Sequence, residues 1–270
     1  MKLLSRLLIA LLICLITIPM LAVSVQAQDE EEPYIRLSPS SGHPGEKVTV
    51  YGYYFNSRED VDIYYYTNSH REKVATDEAS TAGHFTVDFT VPESCTGEHK
   101  VRADGDKYTD ESDYFTVEPG LEIKPDEGPA DTTVTVTGTG FEEDEEDIEV
   151  RYYLDGSDYE RVKEDIEADE YGSWEIAFKV PVSSKGKHKI DAKGRKSSLS
   201  EVDDVTFEVK PGISLSKSSG YVGDTLKVSG SGFKNKESGV KVTYDGEEVG
   251  SSATADKYGT WEISFEVPPG

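Results

Sequence analysis

Cysteine is nearly absent from this chain, basic residues are scarce, and past residue 27 no segment shows a helical apolar period. Of the two cysteines, Cys14 lies in an N-terminal apolar run, so only Cys95 remains beyond it and no intrachain disulfide can staple that part. Stability must come from packing. No Asn-x-Ser/Thr acceptor occurs. The five histidines, His43, His70, His84, His99 and His188, never share a ligand motif, and there is no G-x-S-x-G, phosphate loop, H-E-x-x-H or C-x-x-C. The expectation is a protein that is not an enzyme and carries no cofactor.

The shortage of positive charge is as informative. Lys and Arg number 28 against 53 Asp and Glu, a net charge of -25. Such a surface repels polyanions, so neither nucleic acid nor anionic membrane is an expected partner of the exported part. Met1 to Ala27 carries Lys2 and Arg6, an apolar run from Leu7 to about Ala22, and the small-residue ending Val25-Gln26-Ala27. That is the pattern of a secretory signal peptide, with an uncleaved membrane anchor as the competing reading. Cys14 sits within the run, which disfavours lipidation there. Residues 28–33 read as an acidic spacer.

What is present is one pattern stated three times. GEKVTVYGYYF at 45–55, DTTVTVTGTGF at 131–141 and GDTLKVSGSGF at 223–233 align without gaps, placing Gly52, Gly138 and Gly230 and then Phe55, Phe141 and Phe233 in register. GHFTVDFTVP at 83–92, GSWEIAFKVP at 172–181 and GTWEISFEVP at 259–268 do the same and bring in Trp174 and Trp261. The spacing exceeds a solenoid repeat and suits self-contained domains. Expected boundaries are 34–119, 120–211 and 212–270. Within each, apolar residues alternate, as at Val48/Val50, Val134/Val136 and Leu226/Val228, the period of half-buried strands. An all-β architecture of tandem antiparallel sandwiches follows.

The stretch IRLSPSSGHPGEKVTVYGYYF at 35–55, with the later VP-x-x-x-x-G-x-H-x-V-x-A from Val91 to Ala103, resembles the IPT/TIG group of immunoglobulin-like domains. Pro39, Gly42, Gly45, Gly52 and Phe55 carry the resemblance. The segment ending in G-x-W/F is more similar to repeats of bacterial and archaeal surface proteins. The resemblance implies a seven-strand sandwich used for adhesion, spacing or as an accessory to an enzyme, and no single activity.

Four groups of residues are candidates for more than packing. His99 and His188 share a repeat position in GEHKVRA and GKHKIDA, and are expected to be structural, each ring bonding back to the chain where related folds place a tyrosine. FEEDEEDIEV at 141–150 offers Glu143, Asp144, Glu146 and Asp147 as calcium ligands, but the loops at 56–60 and 234–238 are not acidic clusters, so a solvated charge run is preferred. Tyrosines crowd the first copy at Tyr51, Tyr53, Tyr54, Tyr64, Tyr65 and Tyr66. Alternation splits them between two sheets, against a single carbohydrate platform. The joints at Pro119-Gly120 and Pro211-Gly212 are short enough to predict a stiff array.

The sequence reading is therefore a secreted or surface-displayed, non-enzymatic spacer or adhesion stalk. Its partner is an unknown surface protein or glycan, with a membrane or wall anchor possible beyond residue 270. The alternative is an accessory carbohydrate-binding region of a larger polysaccharide-active enzyme. The third copy stops at Pro268-Pro269-Gly270, where the first two begin the turn into strand F, so strands F and G are expected to be missing from it.

Overall fold

The fold is given by a computed structural model, which describes residues 32–67, 70–107 and 109–269. Residues 1–27, where the sequence pattern of a secretory signal peptide falls, and residues 28–31 of the acidic spacer lie outside the described residues. Among those described there is no helix, and none therefore long and apolar enough to cross a membrane.

The first copy contains β1 (Tyr34–Ser38), β2 (Ser41–Gly42), β3 (Lys47–Tyr53), β4 (Asp60–Tyr66), β5 (Arg71–Glu78), β6 (Phe85–Thr90), β7 (Gly97–Gly105) and β8 (Asp110–Val117). They form two sheets, ordered β1-β3-β6 and β2-β8-β7-β4-β5. All pairings are antiparallel except β2 with β8. The opening strand thus changes sheets between β1 and β2, and Pro39 falls at the switch, where a missing N–H costs no ladder bond. Strict alternation explains why the two sheets face each other: in β3 and β4 every second residue is buried.

The second copy repeats this plan with β9 (Gly120–Lys124), β10 (Glu127–Gly128), β11 (Thr133–Thr139), β12 (Ile148–Asp155), β13 (Asp158–Ile166), β14 (Trp174–Lys179), β15 (Gly186–Lys193) and β16 (Val205–Val209). Its sheets are β14-β11-β9 and β10-β16-β15-β12-β13. The third copy has β17 (Gly212–Leu215), β18 (Thr225–Ser231), β19 (Ser238–Tyr244), β20 (Glu247–Thr254) and β21 (Trp261–Glu266), in sheets of three and two strands. The β19–β20 hairpin closes on Asp245-Gly246, both at positive φ, the turn whose twist matches paired strands. Among the described residues, nothing in the third copy corresponds to β7 and β8, the F and G strands.

Each copy has its own core. Sixteen buried apolar side chains from Ile35 to Val117 form the first and seventeen from Val134 to Val209 the second, but only six from Val228 to Phe265 form the third. The difference follows from a second sheet of only two described strands, β19 and β20, in which Val242 and Tyr244 are only partly covered.

Candidate functional site

Three side-chain locks recur from copy to copy, and each grows from the register of the strands. The first joins β3 to β6 and its equivalents. Gly52 pairs with Phe85, Gly138 with Trp174, and Gly230 with Trp261. In every case the ring packs against the glycine so closely that a Cβ there would overlap it. The ring then meets the phenylalanine three positions beyond the glycine edge to face, with centroids 5.0 Å apart for Phe55–Phe85, 5.4 Å for Phe141–Trp174 and 5.3 Å for Phe233–Trp261.

The second lock holds the histidines. His99 places Nδ1 3.0 Å from the Tyr66 carbonyl oxygen and Nε2 2.7 Å from that of Cys95. His188 does the same with Tyr153 at 2.9 Å and Ser184 at 2.6 Å. Each ring stacks on a buried tyrosine, Tyr65 or Tyr152, at 5.4 Å and 15°. The tyrosine hydroxyl shares a hydrogen bond with Ser94 or Ser183, at 2.8 and 2.7 Å. Those serines also donate to the carbonyls of Pro92 and Pro181. Burial pushes the Tyr152 hydroxyl up to about 12 and Tyr65 higher still, more than the serine bonds lower them. These phenols are neutral posts that fix strand β7 or β15 to the turn before it.

The third lock was hidden in the acidic loop. Glu145 is fully buried, not part of a solvated run. Its carboxylate accepts hydrogen bonds from the Lys196 amide at 2.8 Å, the Ser197 amide and hydroxyl at 2.7 Å each, and the Glu142 amide at 3.2 Å. Glu59 occupies the equivalent place, buried, accepting from the amides of Asn56 and Lys107 at 2.9 Å. In the third copy Glu237 accepts from the Lys234 amide at 2.9 Å. Burial works to raise the Glu59 carboxyl, but the Asn56 and Lys107 amides with the Thr109 and Asn56 side chains outweigh it and hold it below its ordinary value. The signal was available: all three loops carry a glutamate four residues after the phenylalanine, at 55/59, 141/145 and 233/237.

The calcium candidates are not brought together. Glu143 and Asp144 are exposed, while Glu146 lies 2.8 Å from Arg195, which also reaches within 3.9 Å of Asp147. Among the described residues no three His, Cys, Asp or Glu side chains are grouped to hold a metal ion.

Comparison with known proteins agrees with this arrangement. The family model for the IPT/TIG domain matches residues 121–209, β9 through β16. That span is the middle copy. Around it, the first copy has the same strand plan, and the third has the same first sheet, the glycine-ring lock and one contact of the glutamate lock. No curated protein matches the chain. Among solved structures, a tetra-tandem repeat in the extending region of a large adhesion protein is 12% identical over 87% of this chain and 66% of that one, with a TM-score of 0.30. Trypsin-activated alpha-2-macroglobulin from Escherichia coli is 11% identical over 88% and 22%, TM-score 0.27, and InvD of Yersinia pseudotuberculosis 10% over 87% and 82%, TM-score 0.28. The chain thus spans just under two thirds of the first and about a fifth of the second.

The tyrosines of the first copy divide as alternation implies. Tyr65 is core, Tyr64 and Tyr66 face outward on β4, and Tyr51 lies half-exposed on β3 in the other sheet. A second grouping was not foreseen. Tyr34, Tyr53, Tyr54 and His84 meet at one end of the copy, with Tyr34 stacked on Tyr53 at 4.8 Å and Tyr54 and Tyr53 edge-on to His84 at 5.8 and 5.5 Å.

The joints between copies are built from backbone. The Thr96 amide donates to the Phe141 carbonyl at 3.0 Å, and the equivalent Lys185 amide to the Phe233 carbonyl at 2.9 Å. Gly140 and Gly232, at φ of 71° and 70°, sit against the carbonyls of Glu118 and Lys210, the next-to-last residues of the preceding copy, with no room for a Cβ. Tyr258 of the third copy packs on the core of the second.

Proposed function

We propose that this chain is a non-enzymatic spacer or adhesion stalk, exported and either secreted or held at the cell surface, whose structural unit is the IPT/TIG-type sandwich. The repeated joint carries the reading. The same backbone hydrogen bond and the same glycine contact close both joints, and a linker of two residues leaves little slack between them. Every lock described above stabilises a sandwich; each occurs in at least two copies, as expected of fold rather than chemistry. The export segment supports a position outside the cell, and a surface protein or glycan is the proposed partner. Small-angle scattering of the chain tests the spacer: an elongated distance distribution is expected, and a compact one rejects it.

A second reading is the accessory region of a polysaccharide-active enzyme, and the ring cluster of Tyr34, Tyr53, Tyr54 and His84 favours it. Tyr54 is 40% exposed and offers a surface for a sugar ring. Calorimetry with neutral oligosaccharides decides: binding that Tyr54→Ala abolishes supports this reading, and no binding removes it.

A further inference from the structure

The two joints differ at one repeat position. His43 in the first copy aligns with Pro129 in the second, each following a glycine, Gly42 or Gly128, at the start of the loop before β3 or β11. Both side chains pack on the glycine that opens the next copy, His43 on Gly120 and Pro129 on Gly212. Only the histidine has nitrogens to spend. Its Nδ1 lies 2.9 Å from the Glu118 carbonyl oxygen and its Nε2 3.1 Å from Oδ2 of Asp203, in the loop between β15 and β16. Asp203 is itself held by the linker, its amide donating to the Pro119 carbonyl at 3.1 Å. One side chain of the first copy thus bridges the linker and a loop of the second.

Both partners of the ring are acceptors. A neutral imidazole has one N–H and one lone pair, so it satisfies one contact and sets a lone pair against oxygen in the other; the imidazolium donates to both. The charged side chains that act on the ring are Glu46 from its own loop and Asp203 from the second copy, while Glu118, just past β8, contributes its main-chain carbonyl. Burial works against the charge, but the Glu118 carbonyl, Asp203 and Glu46 outweigh it, and His43 titrates above its ordinary value of 6.5.

We propose that His43 is a proton-operated latch on the first joint, closed when the ring is an imidazolium and loosened when it is neutral, while the second joint is indifferent to pH. The contribution is complete below the ordinary histidine range and is lost as pH rises through the raised midpoint of the closed joint. Because Asp203 is largely exposed, the closed-to-open ratio should change by about two- to fivefold, the range for an exposed ion pair. The inference builds on the stiff-joint reading but fails separately from it, since an elongated particle is expected at either pH.

Amide residual dipolar couplings of the full chain, fitted separately for each copy, provide the test. At pH 5.5 the first and second copies should share one degree of alignment, and at pH 8.5 they should diverge, with the second and third unchanged relative to each other. His43→Phe, which keeps a ring over Gly120 but no nitrogen, should show the divergent pattern at both pH values. It also separates this latch from His99 and His188, which lie within copies. Asp203→Asn should lower the His43 midpoint in a histidine-detected NMR titration and shrink the response. A pH-independent first joint, or a response retained in His43→Phe, overturns the proposal.

Discussion

Replacing Glu145 by alanine is the sharpest test of how these domains are held together. In a solvated charge run, removing one of six consecutive acids would relieve repulsion and stabilise slightly. The structure requires the opposite. Four donors converge on that carboxylate, two of them from buried Ser197. The Lys196 amide belongs to an exposed residue and water can replace its partner, and the Glu142 amide is the longest of the four contacts. The Ser197 amide cannot turn away, and its hydroxyl can do so only in part, so at about 1–3 kcal/mol per stranded donor the loss should be about 3 kcal/mol. Glu145→Gln, which keeps one acceptor oxygen, should cost less, and exposed Glu143→Ala should stay within about 0.5 kcal/mol of the parent. Urea unfolding read by Trp174 fluorescence measures this in a Trp261→Phe background. That background is mild because Phe85 fills the same position in the first copy and the Trp261 indole nitrogen makes no hydrogen bond among the described residues. A Glu145→Ala effect no larger than that of Glu143→Ala would refute the buried-lock reading.

Two further outcomes are expected. Glu59 is held below its ordinary value of 4.5, so its stabilisation is present above that pH and lost as pH falls through the lowered folded value; hydrogen exchange at β4 should accelerate over that window, and Glu59→Gln should flatten the response. Gly138→Ala sets a methyl group against the Trp174 ring and should cost about 2 kcal/mol by overpacking, measured by the same fluorescence; a neutral effect would mean that the ring is free to move.

How much of this was legible beforehand depends on range. The all-β class, the alternation and the register of Gly52, Gly138 and Gly230 with the rings beyond are properties of local period and of repetition, which a single chain displays three times. The shared repeat position of the histidines was legible because it recurs, although the tyrosine beneath each ring was not, since Tyr65 and His99 lie on different strands. Reading Glu145 as solvated failed because composition overrode position: its acidic neighbours masked the shared spacing from the phenylalanine. Sequence alone determined the fold of each copy, because half-buried strands write their burial into every second residue. Only the tertiary structure decided which carboxylate is swallowed by the β15–β16 loop, and which histidine faces another copy. Those choices depend on atoms 50 to 160 residues away, a distance across which no local pattern carries information.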